Sequence, residues 1–170
     1  FMVAANRNFT QPLVTHEAGR AALQLVVAPI AVARIQYAIA LALMNGYLDI
    51  QKPHLRLAVI EWDLPCALLA LSDLIKSLNH ICKLAGVQEA LPEIELEVFR
   101  EPSMAFEEFG LPKPVTGLKA IVSAKEDSQR LRKEHYDLII SVSTLQIGPR
   151  NLDHLIGSNP CIAVDSVHSP

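Results

Sequence analysis

The sequence lacks the motifs that hold nucleotide phosphates, and it is poor in glycine and aromatic residues. There is no G-x-x-x-x-G-K-[ST] and no G-x-G-x-x-G, and the 170 residues include only seven glycines. Because these motifs let the backbone approach a phosphate closely, the chain is not expected to bind or hydrolyse ATP by itself. Aromatic residues make up 5% of the chain, which predicts a core built mainly of aliphatic side chains.

Cysteine is also scarce, and no secretion signal is present. Cys66, Cys82 and Cys161 are far apart without a C-x-x-C pair, which argues against a common zinc site and a disulfide scaffold. Reduced thiols predict a cytoplasmic location. The chain begins with Phe1 rather than Met, without a basic segment followed by an apolar one. We therefore expect it to be a piece of a longer polypeptide, with an N-terminal arm at residues 1–22.

The chain has no excess of positive charge. Its net charge is −3, with 51% apolar and 19% charged residues, a balance that excludes a disordered chain. Compact nucleic-acid-binding domains are usually basic, so any contact with DNA is expected to be local. The candidates are the basic side chains of one segment that also carries acidic residues, and the alternative is a solvated helix face. They are Lys125, Arg130, Arg132 and Lys133.

One long apolar stretch resembles a membrane span in length but not in detail. Between Ala21 and Met44 it contains Gln24, Arg34 and Gln36, and Pro29 divides it. A spanning helix needs about 20 apolar residues without such interruptions. We predict no membrane association, and instead a buried strand at 23–28 followed by a helix at 29–45.

Apolar runs alternate with segments of helical periodicity along the rest of the chain. Residues 55–60 (LRLAVI) are typical of a strand covered on both faces. Between Pro65 and Ala85, apolar residues recur every three or four positions, which predicts a long helix. This alternation predicts a Rossmann-like three-layer α/β sandwich with a mainly parallel sheet of about six strands. The predicted strands are 23–28, 55–60, 93–100, 118–122, 137–142 and 161–164, and the predicted helices are 29–45, 65–85, 123–135 and 151–156.

We expect a single domain at residues 23–168 with a Pro-rich loop at 101–117, which contains three prolines. Within residues 93–100 (EIELEVFR), Glu93, Glu95 and Glu97 alternate with Ile94, Leu96 and Val98. This pattern predicts a half-exposed, edge-like strand with its glutamates outward, and some antiparallel pairing near it. The spacing of Ser123 and Glu126 is that of a capping box at a helix start.

Polar side chains follow several predicted strands, where ligands bind in open parallel sheets. The candidates for a ligand crevice are Glu61, Asp63, Ser141 and Asp165. The carboxylates could hold Mg²⁺. Alternatively, Asp63 caps the helix that begins near Pro65. Arg34, in an apolar helix, is expected to pair with Asp63 or Glu61. No catalytic residue can be assigned.

Four strings of the sequence resemble a segment of very large bacterial DEAD/DEAH-box helicases. They are residues 26–43 (VVAPIAVARIQYAIALAL), 55–74 (LRLAVIEWDLPCALLALSDL), 91–99 (LPEIELEVF) and 136–146 (YDLIISVSTLQ). In those superfamily 2 proteins the segment lies upstream of a RecQ-like motor.

The resemblance implies a non-catalytic accessory domain of an ATP-dependent DNA helicase, which docks on the motor domain of the same polypeptide or guides DNA. It implies no cofactor in this segment, because ATP and Mg²⁺ belong to the motor. The alternative is a stand-alone Rossmann-like small-molecule enzyme or ligand-binding domain, as the polar residues at the strand ends suggest.

Overall fold

The computed structural model describes residue 21 and residues 23–86, 91–101, 115–143 and 151–165. The N-terminal arm predicted at 1–22 and most of the predicted Pro-rich loop at 101–117 lie outside these residues.

Five parallel strands form one sheet in the described part of the chain, in the order β3-β2-β1-β4-β5. The strands are β1 (His54–Glu61), β2 (Glu93–Arg100), β3 (Leu118–Ala124), β4 (Leu138–Ser143) and β5 (Cys161–Asp165). The helices are α1 (Ala28–Met44), α2 (Ala67–Ala85), a 3₁₀ helix (Lys125–Arg132) and α3 (Asp153–Ile156). These elements confirm the predicted α/β fold with a parallel sheet.

The sheet is covered on both faces, which explains the continuous apolar runs of its central strands. On one face, α1 and α2 pack over a large cluster that includes Leu57, Val59 and Ile140. On the other face, a smaller cluster forms around Leu131 of the 3₁₀ helix and Tyr136. The three layers are therefore helices, sheet, and a second layer of short helices.

The strand predicted at 23–28 is wrong. Leu23–Val27 forms a π-helical turn that leads directly into α1. A short apolar run cannot be distinguished from a buried helix by periodicity alone, and Pro29 lies in the first turn of α1 without interrupting the helix. Among the described residues, the segment Leu25–Met44 is long and apolar enough to span a membrane, with 33% of its window buried inside the protein.

Two further predictions are wrong: the edge position of residues 93–100 and the capping box at Ser123. β2 is not an edge strand, because it pairs in parallel with both β1 and β3, and its Glu97 is buried. The predicted capping box at Ser123 does not form. Instead β3 continues to Ala124, the 3₁₀ helix begins without a side-chain cap, and the Ser123 hydroxyl donates a hydrogen bond to Glu97.

Candidate functional site

The carboxyl ends of β1 and β4 form the candidate site. The chain leaves β1 for β2 on one side, whereas β4 and β5 lie on the other, so the strand order reverses between β1 and β4. In this class of fold, ligands bind at that reversal. Side chains at the ends of these two strands contact one another: the Trp62 indole N–H donates to Ser141 Oγ at 2.8 Å, and the Ser143 hydroxyl donates to Asp63 at 3.2 Å.

Glu61 is the most deeply buried acid of the site, with 1% of its surface exposed. Its Oε1 accepts a hydrogen bond of 2.6 Å from the N–H of Ala67, the first residue of α2. Its Oε2 is buried without a hydrogen-bond partner. Burial raises the pKa of Glu61 to about 7, although the N–H of Ala67 and the charge of Arg100 oppose the shift. Glu61 is therefore a carboxyl group that can gain or lose a proton near neutral pH.

Asp63 has a different role from the predicted cap. The hydrogen bond to the first N–H of α2 is accepted by Glu61, two residues earlier in the chain, while Asp63 accepts from Ser143. Asp63 is itself buried. Asp165, the fourth predicted residue, ends β5, where its backbone is in register with Ser143.

Trp62 and Lys125 form a half-buried rim of the site. The ammonium group of Lys125 lies 4.3 Å from the centre of the Trp62 ring, and Lys125 also contacts Glu101 Oε1 at 3.3 Å. A cation over an indole ring is a favourable contact. It fixes the start of the 3₁₀ helix against the end of β1.

In the part of the chain that the structure describes, no three His, Cys, Asp or Glu residues are placed to hold a metal ion. Arg34, which we expected to pair with Asp63 or Glu61, has its Nη1 buried without a hydrogen-bond partner. Its neighbour Gln36 instead donates to the carbonyl oxygen of Ala70 in α2.

The four predicted DNA-contact residues divide into two pairs. Lys125 is held at Trp62 and Glu101, and Arg130 donates to Glu97 Oε1 at 2.6 Å. Arg132 and Lys133 are exposed and form no ion pair with another described residue. Only this second pair is free to meet a phosphate.

A hydrogen-bonded cluster around the buried Glu97 was not predicted from the sequence. Glu97 accepts hydrogen bonds from Tyr136 Oη at 2.7 Å, from Ser123 Oγ at 2.8 Å and from Arg130, and Arg56 lies 4.0 Å away. Burial alone would raise the pKa of Glu97, but these donors and charges outweigh it and lower the pKa.

One signal in the sequence could have revealed this cluster. Phe99 occupies the same side of β2 as Glu97 and is fully buried. An apolar residue in line with the glutamates indicates that this face of the strand is covered toward its carboxyl end.

Comparisons with known proteins identify no family. The sequence matches no protein-family model, and a search of curated proteins finds no match.

Proposed function

We propose that this chain is a non-catalytic accessory α/β domain of a larger ATP-dependent DNA helicase, and that it docks on the motor domain of the same polypeptide. The observation that carries the docking role is an apolar strip on the second half of α2. Its members lie three residues apart on successive turns and are exposed: Leu78 by 37%, Ile81 by 59% and Leu84 by 74%. We call these three residues the α2 strip.

The two halves of α2 differ in how far their apolar side chains are buried. Leu71 and Ile75 are buried against the sheet, whereas the exposure of the α2 strip rises toward the end of the helix. Contiguous exposed apolar residues with polar neighbours mark protein–protein contacts. Asn79 and Lys83 supply such polar neighbours on the same helix. A motor domain that covers this strip would complete the burial of α2.

The candidate site supports a non-catalytic role for the segment. Trp62, Asp63 and Lys125 hold neighbouring strands and helices together through the contacts given above. In this proposal ATP and Mg²⁺ are bound by the motor, which supplies the phosphate-binding loop that this sequence lacks.

The decisive experiment measures binding between this chain and the motor. The complete reading frame is determined first, and its helicase segment is then produced separately. Calorimetry should show binding to the wild-type chain and at least roughly tenfold weaker binding to the double variant Ile81→Glu, Leu84→Glu. The matched control is Asn79→Glu with Lys83→Glu, on the polar side of the same helix, which should bind normally.

Two results would contradict the proposal. One is a reading frame without a motor segment. The other is steady ATP hydrolysis by this chain alone, above a mock preparation.

A second candidate function is a Rossmann-like ligand-binding domain or enzyme, and the buried Glu61 at the strand reversal favours it. A carboxyl group with a pKa of about 7 is suited to proton transfer. This alternative predicts that some small molecule raises the melting temperature of the wild type and not of Glu61→Gln. A screen of nucleotides, sugars and carboxylic acids by thermal shift would detect it.

A further inference from the structure

Helix α1 carries apolar residues on two opposite faces. One side faces the core, where Ala31, Ile35, Ala38 and Ala42 are buried. A surface helix of a globular protein normally carries charged residues on the opposite side, and a helix that is apolar all round is buried. The outer side of α1 is nevertheless exposed in the described structure.

The exposed side of α1 follows a heptad pattern. Its residues are spaced alternately by three and four positions, the spacing of a helix–helix seam. They are Ile30, Ala33, Tyr37, Ala40 and Met44, all exposed, with 46%, 62% and 82% exposure for the three large side chains. We call these five residues the α1 seam. No charged residue belongs to it.

Large and small residues alternate along the α1 seam, and this pattern indicates which kind of surface would fit against it. Ile30, Tyr37 and Met44 occupy one position of the heptad, and Ala33 and Ala40 occupy the other. When two such helices pack antiparallel, the first position of one helix faces the second position of the other. In either register that pairs Tyr37 with an alanine, two of the three large side chains of each helix meet an alanine of the partner, so most of the α1 seam is complementary to itself.

We propose that the α1 seam is a homodimer interface, in which the α1 helices of two copies of this chain pack antiparallel. Because the seam is uncharged, the two copies meet without repulsion, and the alanines let the helices approach closely. The same patch is used on both subunits, as two-fold symmetry requires. This inference uses a different surface from the α2 strip and does not depend on the proposed docking to a motor.

Sedimentation equilibrium tests the association. The wild-type chain should be dimeric at micromolar concentration, and Ala33→Glu with Ala40→Glu should be monomeric, because four carboxylates would be placed in one apolar interface. Both positions are exposed and glutamate favours helix, so circular dichroism should show unchanged helix content. The control is Ile81→Glu with Leu84→Glu, which should remain dimeric while it loses binding to the motor.

Disulfide trapping tests the orientation. Tyr37→Cys and Ala40→Cys chains, mixed and oxidised, should form a crosslinked heterodimer in one antiparallel register; Tyr37→Cys with Ala33→Cys tests the other register. Ala40→Cys alone should crosslink only if the helices are parallel. Oxidised wild type controls for the native cysteines.

Three outcomes would overturn the proposal. They are a monomeric wild type, a dimer unaffected by Ala33→Glu with Ala40→Glu, and efficient crosslinking of Ala40→Cys with itself. Flotation with phosphatidylcholine vesicles adds a fourth. A monomeric chain that binds vesicles through the same residues would show that the seam meets lipid instead of a second copy.

Discussion

Glu61 combines two opposing influences in one side chain. It accepts a hydrogen bond from the first N–H of α2, which favours its charged form, but it is buried, which favours its neutral form. Burial prevails, and the pKa rises from 4.5 to about 7. The helix start that we assigned to Asp63 therefore depends on a residue two positions earlier, with a different response to pH.

This raised pKa predicts that the protein loses stability as pH rises. The folded state keeps the Glu61 proton up to about pH 7, whereas the unfolded state releases it near 4.5. Stability from this group is thus complete below pH 4.5 and is lost as pH rises through 7. The pKa difference corresponds to about 3 kcal/mol in the free energy of unfolding. Urea denaturation at several pH values between about 5 and 8 measures it.

The variant Glu61→Gln provides the control for this pH dependence. Glutamine keeps an oxygen for the N–H of Ala67 but has no proton to lose in this range. The difference between wild type and variant should therefore change with pH, in favour of the variant above pH 7. Parallel stability curves for the two proteins would contradict the assignment.

Asn159 is a small side chain whose removal should lower the free energy of unfolding strongly. Its side-chain amide donates to the carbonyl oxygens of Leu131, Glu134 and Ile156, and its Oδ1 accepts from the N–H of Tyr136. Asn159→Ala removes these side-chain hydrogen bonds, although the Ile156 carbonyl still accepts from the backbone N–H of residue 159, and should lower the free energy of unfolding by about 3 kcal/mol.

A second asparagine provides the control for the predicted loss of stability in Asn159→Ala. Asn151 accepts one hydrogen bond from the N–H of Asp153 at an exposed position, and Asn151→Ala should cost about 0.5 kcal/mol. Asn159→Asp should be at least as damaging as Asn159→Ala, because its carboxylate would face three carbonyl oxygens. Equal effects of the two alanine variants, measured by urea denaturation, would refute this role of Asn159.

At the scale of elements, the sequence predicted the buried strands and the long helix well. Strands β1 and β4 are continuous apolar runs, and α2 shows apolar residues every three or four positions. Those patterns follow directly from burial on two faces of a sheet or one face of a helix. The start of α1 was mistaken for a strand because an apolar run that is buried in part gives no clear period.

The depth of a side chain within a strand could not be predicted from alternation. Glu93 and Glu97 lie on the same side of β2, yet Glu93 is exposed and Glu97 is buried. The difference arises from Tyr136 and the 3₁₀ helix, which are distant in sequence and cover only the carboxyl-terminal part of the strand. The contacts at the carboxyl end of β1 could not be predicted either, because Glu61, rather than Asp63, reaches α2.

The cluster around Glu97 joins β2 to the layer of short helices, and Tyr136→Phe tests its strength. Removing the hydroxyl takes one donor from a buried carboxylate and should lower the free energy of unfolding by about 2 kcal/mol at neutral pH. Because the pKa of Glu97 is lowered, this stabilisation exists above its ordinary pKa of 4.5 and is lost as pH falls through the lowered value.

The measurement is urea denaturation at neutral and acidic pH. The control, Tyr47→Phe, removes an exposed hydroxyl and should leave stability unchanged. A Tyr136→Phe effect that persists undiminished at low pH would show that the hydroxyl contributes through packing and not through the charge of Glu97.

At the scale of the whole molecule, the charge distribution limits what the chain can do with DNA. A net charge of −3 repels a polyanion, and Lys125 and Arg130 are held by acidic partners. Arg132 and Lys133, at the end of the 3₁₀ helix, offer a small positive surface. We therefore expect weak binding of single-stranded DNA that depends steeply on salt.

Two charge-reversal variants distinguish DNA binding at this local surface from an effect of the net charge. With about two phosphate contacts on single-stranded DNA, log K should fall with log salt with a slope of about −1.4. Arg132→Glu with Lys133→Glu should abolish the binding, whereas Lys76→Glu with Lys83→Glu, on α2, should leave most of it, although both pairs change the net charge equally. Fluorescence anisotropy with a labelled oligonucleotide, at about 20 and 200 mM salt, measures both. Equal losses in the two variants would mean that the chain senses DNA only through its overall charge and that the end of the 3₁₀ helix is not a contact site.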